Sequence, residues 1–377
     1  MLRTYKNYHL RKYDFLLILL LCLLAGISIT AIGSATQVNS PDGTDYFASK
    51  QLVGYVSGLV MILVVSSIDY RFITRFYIPI YILNIALLGG VLLIGETVNG
   101  ATRWINIAGF TIQPSEFSKL FMILFLAKYF DKCKDKINEF HILLMGAGAM
   151  AVTIGLIFLQ PNLSTAIVMS ILFLVMVFAG GISYKYIAAG ISVAVPTFLF
   201  LLWYIQQPFQ KLLKPYQLSR VLANINPEEY ALSTSLQTNN SIQAIGSGQL
   251  FGKGLYLGKL NKYNYLPEPQ TDFIFSIIGE EFGFVGCVVV LALLFLLIIR
   301  CLWLAKDAPD NQGMLIIVGF VALILFQTFI NVGVTTGIVP NTGVTLPFVS
   351  YGLSSLWSNM IAIGIILNIS MQRRTTY

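Results

Sequence analysis

The run FLLILLLCLLAGISITAI at residues 15–32 contains no charged side chain. A transmembrane helix needs about 20 mostly apolar residues to cross the hydrocarbon core of a bilayer, so this stretch predicts a membrane span. Comparable apolar runs recur along the whole chain. The predicted spans lie near residues 14–34, 51–68, 76–95, 114–130, 141–159, 163–181, 186–204, 272–300, 313–335 and 352–370. The sequence therefore predicts an all-α, polytopic membrane protein with about ten transmembrane helices.

The composition indicates the same class of protein. The 377 residues are 56% hydrophobic and 11% charged, whereas a soluble domain carries about 25% charged residues. The mean hydropathy is +0.76. The two His residues are far apart and outside any ligand spacing, so no zinc site is expected and no metal-binding residue is assigned. None of the four Cys residues lies in a predicted external segment, so we expect no disulfide framework.

The Lys and Arg residues predict the orientation. With both termini in the cytoplasm, most of them fall in cytoplasmic segments, and the short external loops hold little more than Lys50 and Arg103. This bias follows the positive-inside rule and explains the net charge of +7 without a nucleic-acid partner. Residues 205–271 are too long and polar for a connector. They predict a large external loop between helices 7 and 8, within a single domain of residues 1–377.

A first polar cluster begins at the external end of the predicted fourth helix. GATRWI at residues 100–105 is followed by QPSE at residues 113–116 and by Lys119. Glu116 and Lys119 lie three residues apart on one helical face and are expected to pair, either to hold helices together or to contact a ligand. Arg103 is predicted at the membrane interface, where a guanidinium suits a pyrophosphate or a carboxylate.

A second cluster, LPEPQTDF at residues 266–273, closes the long loop. Asp272 falls at the external mouth of the eighth helix, so it is either a helix cap, for which Asp is favoured, or a functional acid. Glu280 and Glu281 lie deeper in the same helix, where a carboxylate is costly and needs a partner. Lys119 is one candidate partner.

A third cluster combines PNTG at residues 340–343 with LPFVSYG at residues 346–352. These prolines and glycines cannot continue a helix. Irregular backbone at membrane depth is tolerated only where it is buried in protein or lines a wet cavity. We therefore expect a re-entrant external segment at a substrate cavity, with a plain surface loop as the alternative.

Five motifs, in this order, resemble the SEDS family (shape, elongation, division and sporulation), which includes RodA-, FtsW- and SpoVE-like proteins. They are GATRWI with QPSEFSK, QPNLSTA at residues 160–166, AIGSGQLFGKGL at 244–255, YLPEPQTDFIFSIIGEEFG at 265–283 and PNTGVTLPFVSYG at 340–352. The resemblance implies a ten-helix fold in the bacterial cytoplasmic membrane, with the active site outside. It further implies polymerisation of lipid II, and a class B penicillin-binding protein and other elongasome or divisome proteins as partners.

The resemblance also directs attention to single residues. The aspartate of T-D-F, here Asp272, matches the residue that the family needs for catalysis, and we expect it to act as general base for inverting glycosyl transfer with undecaprenyl diphosphate as leaving group. A divalent cation, Mg²⁺ or Mn²⁺, is a candidate cofactor. The candidate substrate-binding residues are Arg103, Trp104, Glu116, Lys119, Gln243, Lys253 and Ser350.

The chain departs from the family at three positions, and two other functions compete. Asn162 and Ser164 stand where the family usually has Asp and Gly, and Leu353 replaces a second Gly, so no catalytic role is assigned to Asn162. A lipid II flippase would carry polar groups through the whole membrane depth, whereas these motifs crowd the external half. A non-catalytic scaffold of the cell-wall machinery would not need Asp272. The sequence does not separate roles in elongation, division and sporulation.

Overall fold

Ten long helices dominate the computed structural model. It describes residues 12–37, 46–98, 101–107, 110–207, 209–210, 218, 222, 234–263, 265–266 and 268–372. Each of the ten predicted spans coincides with one long helix. These helices are α1 (Phe15–Thr36), α2 (Tyr46–Ser66), α4 (Tyr77–Ile94), α5 (Pro114–Lys132), α6 (Phe140–Leu159), α7 (Leu163–Ala179), α8 (Tyr184–Ile205), α11 (Ile274–Lys306), α12 (Asn311–Thr335) and α13 (Leu353–Met371). The described residues also form three shorter α-helices, α3 (Tyr70–Arg75), α9 (Thr234–Ser247) and α10 (Lys259–Lys262). The polytopic, predominantly helical fold is confirmed.

Eight of these described helices are long and apolar enough to cross a membrane, judged by length and composition. The other two long helices do not meet these criteria of length and hydropathy, for different reasons. The apolar helix α7 has only 17 residues, and α5 is the least hydrophobic span because it carries charged residues at both ends. Helix α5 packs against α4, α12 and α13, and most of its middle is buried. The polar residues Ser115, Ser118 and Lys119 are therefore placed inside the bundle.

Helices α1 and α11 lie side by side and are fastened near both ends. At one end Asp14, which caps α1, forms an ion pair with Arg300 at 2.5 Å. At the other end the Ser34 hydroxyl donates a hydrogen bond to the Glu281 carboxylate. The two contacts fix the register of the pair along the bundle axis.

A small antiparallel sheet was not predicted. Strands β1 (Glu96–Val98), β2 (Ala101–Ile107) and β3 (Phe110–Ile112) lie between α4 and α5, in the order β1-β2-β3. In their register Glu96 faces Trp104, and Ile105 faces Ile112. The sheet gives the first polar cluster a fixed backbone at the end of the bundle.

Helix α11, predicted as one continuous span, is broken at Gly283. This residue has φ 67° and ψ −162°, a backbone conformation that side-chain-bearing residues rarely adopt. A distant loop fills the break, because the amides of Phe284 and Val285 donate to the carbonyls of Gln249 and Leu250 at 2.8 and 3.1 Å. Residues 274–282 thus form a separate segment of two turns, and Asp272 precedes it.

The predicted long loop of residues 205–271 contains the structured helix α9. The Ser241 hydroxyl on α9 donates to the Thr335 carbonyl at 2.6 Å and lies 2.6 Å from the Ser276 hydroxyl. Helix α9 therefore packs on the first segment of α11 and on the end of α12. Residues 211–217, 219–221 and 223–233 of the loop lie outside the described part of the chain.

Candidate active site

A cavity of about 520 Å³ opens at the end of the bundle where α2, α5, α7, α11 and α13 begin. It collects residues from all three polar clusters. The charged residues that line it are Lys50, Arg103, Glu116, Lys119, Glu268 and Asp272. The sequence placed five of these six in its motifs, and the fold brings them together from segments far apart in the chain.

Asp272 is half-buried in the cavity wall, and hydrogen bonds hold its backbone. Its carbonyl accepts from the Asn331 amide at 3.0 Å, and the same amide donates to the Val344 carbonyl at 2.7 Å. The preceding carbonyl, of Thr271, accepts from the Ser350 hydroxyl at 2.6 Å. The cap position of α11 is taken by Phe273 rather than Asp272. The geometry therefore fixes the main chain around a carboxylate that faces the cavity.

Residues 340–352 form the irregular segment that the sequence predicted, and residues 342–345, 351 and 352 of it line the cavity. The segment is buried and held by the first two helices. The Ser28 hydroxyl donates to the Val349 carbonyl at 2.7 Å, and the Tyr55 hydroxyl donates to the Phe348 carbonyl. Gly343 has φ +72°, and a Cβ built on it would lie 3.3 Å from Asp272 Oδ2. A buried segment that lines a cavity matches the re-entrant alternative rather than the surface loop.

Glu116 and Lys119 form the predicted ion pair. Lys119 Nζ lies 2.7 Å from Glu116 Oε2, and the two side chains are 4% and 13% exposed for Lys119 and Glu116. Both residues line the cavity. The ion pair is confirmed, and a role of the two residues in substrate binding stays a prediction.

Arg103 and Trp104 lie on β2 and line the cavity from the sheet side. Arg103 Nε donates to the Gln160 carbonyl at 3.0 Å, and a terminal guanidinium nitrogen donates to the Pro161 carbonyl. Asn162, the neighbouring departure from the family motif, caps α7 by accepting from the Thr165 amide at 3.2 Å. These contacts connect the sheet to the turn between α6 and α7.

Three other candidate binding residues lie outside the cavity lining. Gln243 is exposed on α9, Ser350 is buried behind Thr271, and Lys253 pairs with Glu280 at 2.6 Å. Their substrate-binding roles stay predictions. Lys119, one candidate partner of Glu280 and Glu281, binds Glu116, and Lys253 reaches Glu280 instead.

Sequence reasoning missed Gln327, and it included Thr342 and Tyr351 only as members of the PNTG and LPFVSYG motifs. Gln327 lies on α12 and Thr342 on the irregular segment, and the buried Gln327 Oε1 and Thr342 Oγ1 have no hydrogen-bond partner. A Gln within the apolar run of α12 was the available signal. Tyr351 also lines the cavity. Burial raises the pKa of its phenol, against the opposing effect of Lys50, so Tyr351 stays protonated at neutral pH.

Comparisons with known proteins place the chain in a family. The family model of FtsW, RodA and SpoVE, described as cell cycle protein, matches residues 10–375. A probable peptidoglycan glycosyltransferase FtsW of Trichlorobacter lovleyi is 36% identical, with 97% of this chain and 95% of the relative covered. Stage V sporulation protein E of Bacillus subtilis is 37% identical, with 96% and 98% covered. Peptidoglycan glycosyltransferase RodA of Treponema pallidum is 34% identical, with 96% and 98% covered.

Solved structures agree with the sequence relatives. A chain of a peptidoglycan synthase complex that coordinates polymerisation and crosslinking matches with a TM-score of 0.80 and 29% identity, covering 95% of this chain and 97% of that one. Rod shape determining protein RodA of Thermus thermophilus matches with a TM-score of 0.68 and 27% identity, covering 97% and 98%. The chain therefore belongs to the FtsW/RodA/SpoVE family of cell cycle proteins.

Proposed function

We propose that this chain is a peptidoglycan glycosyltransferase that polymerises lipid II into glycan strands. Relatives of nearly the same length carry the name peptidoglycan glycosyltransferase. The observation that carries the proposal is the placement of Asp272, Arg103 and Lys119 around one cavity. A carboxylate beside two cations is what glycosyl transfer to a hydroxyl with a diphosphate leaving group requires.

In the proposed mechanism Asp272 accepts the proton of the acceptor sugar's 4-hydroxyl. The hydroxyl oxygen attacks C1 of the donor sugar from the face opposite the diphosphate. The C1–oxygen bond to undecaprenyl diphosphate breaks as the new glycosidic bond forms, which inverts the configuration at C1. Arg103 and Lys119 stabilise the negative charge that develops on the leaving diphosphate. The Glu116 carboxylate orients the Lys119 ammonium group.

We propose a divalent cation, Mg²⁺ or Mn²⁺, as a cofactor in this cavity. Among the described residues no three Asp, Glu, His or Cys side chains form a metal-ligand group. Magnesium is often held by one or two carboxylates together with substrate phosphate oxygens. Asp272 is the carboxylate that would hold the ion, and the unpartnered Gln327 oxygen would support it. The ion would supply further charge stabilisation for the diphosphate.

We also propose that the cavity opens on the extracytoplasmic side of the bacterial cytoplasmic membrane, with both termini in the cytoplasm. The Lys and Arg bias of the sequence supports this orientation. A solved relative belongs to a complex that coordinates polymerisation and crosslinking, which supports a crosslinking partner. We take that partner to be a class B penicillin-binding protein, within the elongasome or the divisome.

A lipid II flippase is the second candidate function. The charged groups of the cavity gather at the end of the bundle where five helices begin, rather than along its whole length. That distribution favours chemistry at one membrane face over translocation.

Asp272→Asn tests the proposal. The amide has the shape of the carboxylate but cannot accept a proton usefully at neutral pH, so loss of the base should lower polymerisation by about 10²–10⁴-fold. The measurement is turnover of lipid II by purified wild type and mutant, each with its penicillin-binding partner. Thermal unfolding of both proteins is recorded as the folding control. Mutant turnover within a few-fold of wild type would dismiss Asp272 as base.

A further inference from the structure

The loop of residues 248–257 exposes large apolar side chains. Leu250, Phe251 and Leu257 are 60%, 79% and 63% exposed, and Leu255 and Tyr256 are 39% and 41% exposed. These five side chains lie within ten residues. Contiguous exposed apolar surface of this kind marks an interaction site. The loop lies on the same side of the molecule as the cavity, since it follows α9.

The loop backbone is fastened to the break in α11. The amides of Lys253 and Gly254 donate to the carbonyls of Glu280 and Glu281, both at 3.0 Å. The carbonyl of Leu250 accepts from the Val285 amide at 3.1 Å. A Cβ built on Gly252 would lie 2.0 Å from the Glu281 carbonyl oxygen, so this close approach requires glycine. Along the bundle axis, the loop therefore lies at the same height as residues 280–285.

The lengths of α1 and α11 indicate where residues 280–285 lie along the membrane normal. From Asp14 to Ser34, α1 advances about 30 Å, and from Arg300 to Glu281, α11 advances about 28 Å. The pair Asp14–Arg300 and the pair Ser34–Glu281 mark the two ends of this distance. The hydrocarbon core of a bilayer is also about 30 Å thick. Ser34 and Glu281 consequently lie at the membrane boundary on the cavity side.

We propose that the 248–257 loop inserts Leu250, Phe251 and Leu257 into the lipid leaflet on the cavity side. Two observations select lipid as the occupant. The loop lies at the membrane boundary, and it continues the exposed apolar face of α11 at Phe284 and Val285, which are 62% and 45% exposed. Lys259 and Lys262 follow the loop and are exposed, where ammonium groups can reach headgroup phosphates.

The insertion has a consequence for the reaction, and this part rests on the proposed function. The loop holds Glu280 through Lys253, and Glu280 belongs to the two-turn segment preceded by Asp272. Anchoring the loop in lipid fixes the height of that segment relative to the bilayer. A diphosphate carried by a lipid arrives at headgroup level, so the anchor would align Asp272 with it.

Spin labels test the insertion directly. Phe251→Cys and Leu257→Cys are made in the full chain with Cys22 and Cys133 changed to Ser, while the buried Cys287 and Cys301 stay. Each nitroxide-labelled protein is reconstituted in bilayers of phosphatidylethanolamine and phosphatidylglycerol. Collision with oxygen, which concentrates in lipid, is compared with collision with a water-soluble nickel chelate. Phe295→Cys on the apolar face of α11 and Asp307→Cys beyond its end are the lipid and water controls.

The two loop labels should favour oxygen as the Phe295 control does, at a depth of about 5–10 Å below the headgroups. Nickel-dominated collisions like those at Asp307 would overturn the proposal, because the loop would lie in water. Protection from both reagents would also overturn it, because protein rather than lipid would then cover the loop. Neither outcome bears on Asp272, so the proposed reaction can stand or fall separately.

Discussion

Lys253→Met should destabilise the protein strongly, because it leaves a buried carboxylate without its cation. Glu280 is fully buried, and Lys253 Nζ lies 2.6 Å from its Oε1. The same oxygen accepts from the Leu260 amide at 3.1 Å, while Oε2 has no hydrogen-bond partner. The ammonium group therefore provides the main compensation for the Glu280 charge.

The structure indicates how much each substitution should lower the free energy of unfolding, and why the two costs differ. Removing one partner of a buried ion pair costs about 3–5 kcal/mol, since an uncompensated charge stays in the interior. Glu280→Gln should cost less, about 1–2 kcal/mol, because Gln still accepts from Leu260. The side chain of Lys253 is 26% exposed, so its charge can turn to water. The double variant should be about as stable as Glu280→Gln alone, so the coupling energy should equal the cost of Lys253→Met, about 3–5 kcal/mol.

Thermal unfolding of the wild type, the two single variants and the double variant, all purified in one detergent, measures this double-mutant cycle. Lys253→Met should lower the Tm by roughly 5 °C or more, and the added Glu280→Gln change should restore most of the loss. A double variant as unstable as Lys253→Met would refute the reasoning, because the cost would then come from lost packing of the Lys253 stem and not from the isolated charge.

Three further predictions concern the cavity and the orientation. Arg103→Ala should lower lipid II polymerisation roughly tenfold, because a charge-assisted contact with the diphosphate is lost; steady-state kinetics across substrate concentrations measure it. Gly343→Ala should lower both the Tm and kcat, since a left-handed backbone costs a side-chain-bearing residue about 1–2 kcal/mol and the new Cβ would lie 3.3 Å from Asp272 Oδ2. A cysteine at Asn239, or at Ser233 outside the described residues, should react with a membrane-impermeant reagent in intact spheroplasts.

Each of these experiments has a control or a contrary result. Arg103→Lys keeps the charge but not the guanidinium fork, so intermediate kinetics are expected, and a normal rate for Arg103→Ala removes Arg103 from the proposed site. Gly337→Ala introduces a comparable strain at φ +77°, next to Ile242 rather than Asp272. It should lower the Tm with little effect on kcat, and equal losses of kcat would point to strain alone. Absence of labelling at both positions would contradict the predicted orientation, in which residues 205–271 are external.

The long helices could be predicted because hydrophobic length is a local property. A segment must supply about 20 apolar residues by itself, so α1 or α12 can be located without knowing its neighbours. The ion pair of Glu116 with Lys119 was equally local, since both side chains lie on one face of α5. The irregular segment of residues 340–352 was predictable from its prolines and glycines.

The remaining features depend on contacts between distant segments. Strands of three to seven residues give too weak a pattern to separate β1–β3 from a loop. Gly283 lies within an apolar run, so only the docked backbone of residues 249–254 shows that the helix breaks there. The partner of Glu280 comes from the same loop, 27 positions away. Long-range pairing of this kind leaves no periodic signal in the sequence.

The limited hydrophobicity of α5 has a consequence for biosynthesis. A helix enters the bilayer readily when its own side chains favour lipid, but Glu116 and Lys119 at one end of α5 and Asp131 and Lys132 at the other do not. Its partner α4 is already synthesised when α5 emerges from the ribosome, whereas α12 and α13 follow more than a hundred residues later. We therefore expect α5 to enter the membrane as a pair with α4 and to complete its packing only after the last helices have been translated.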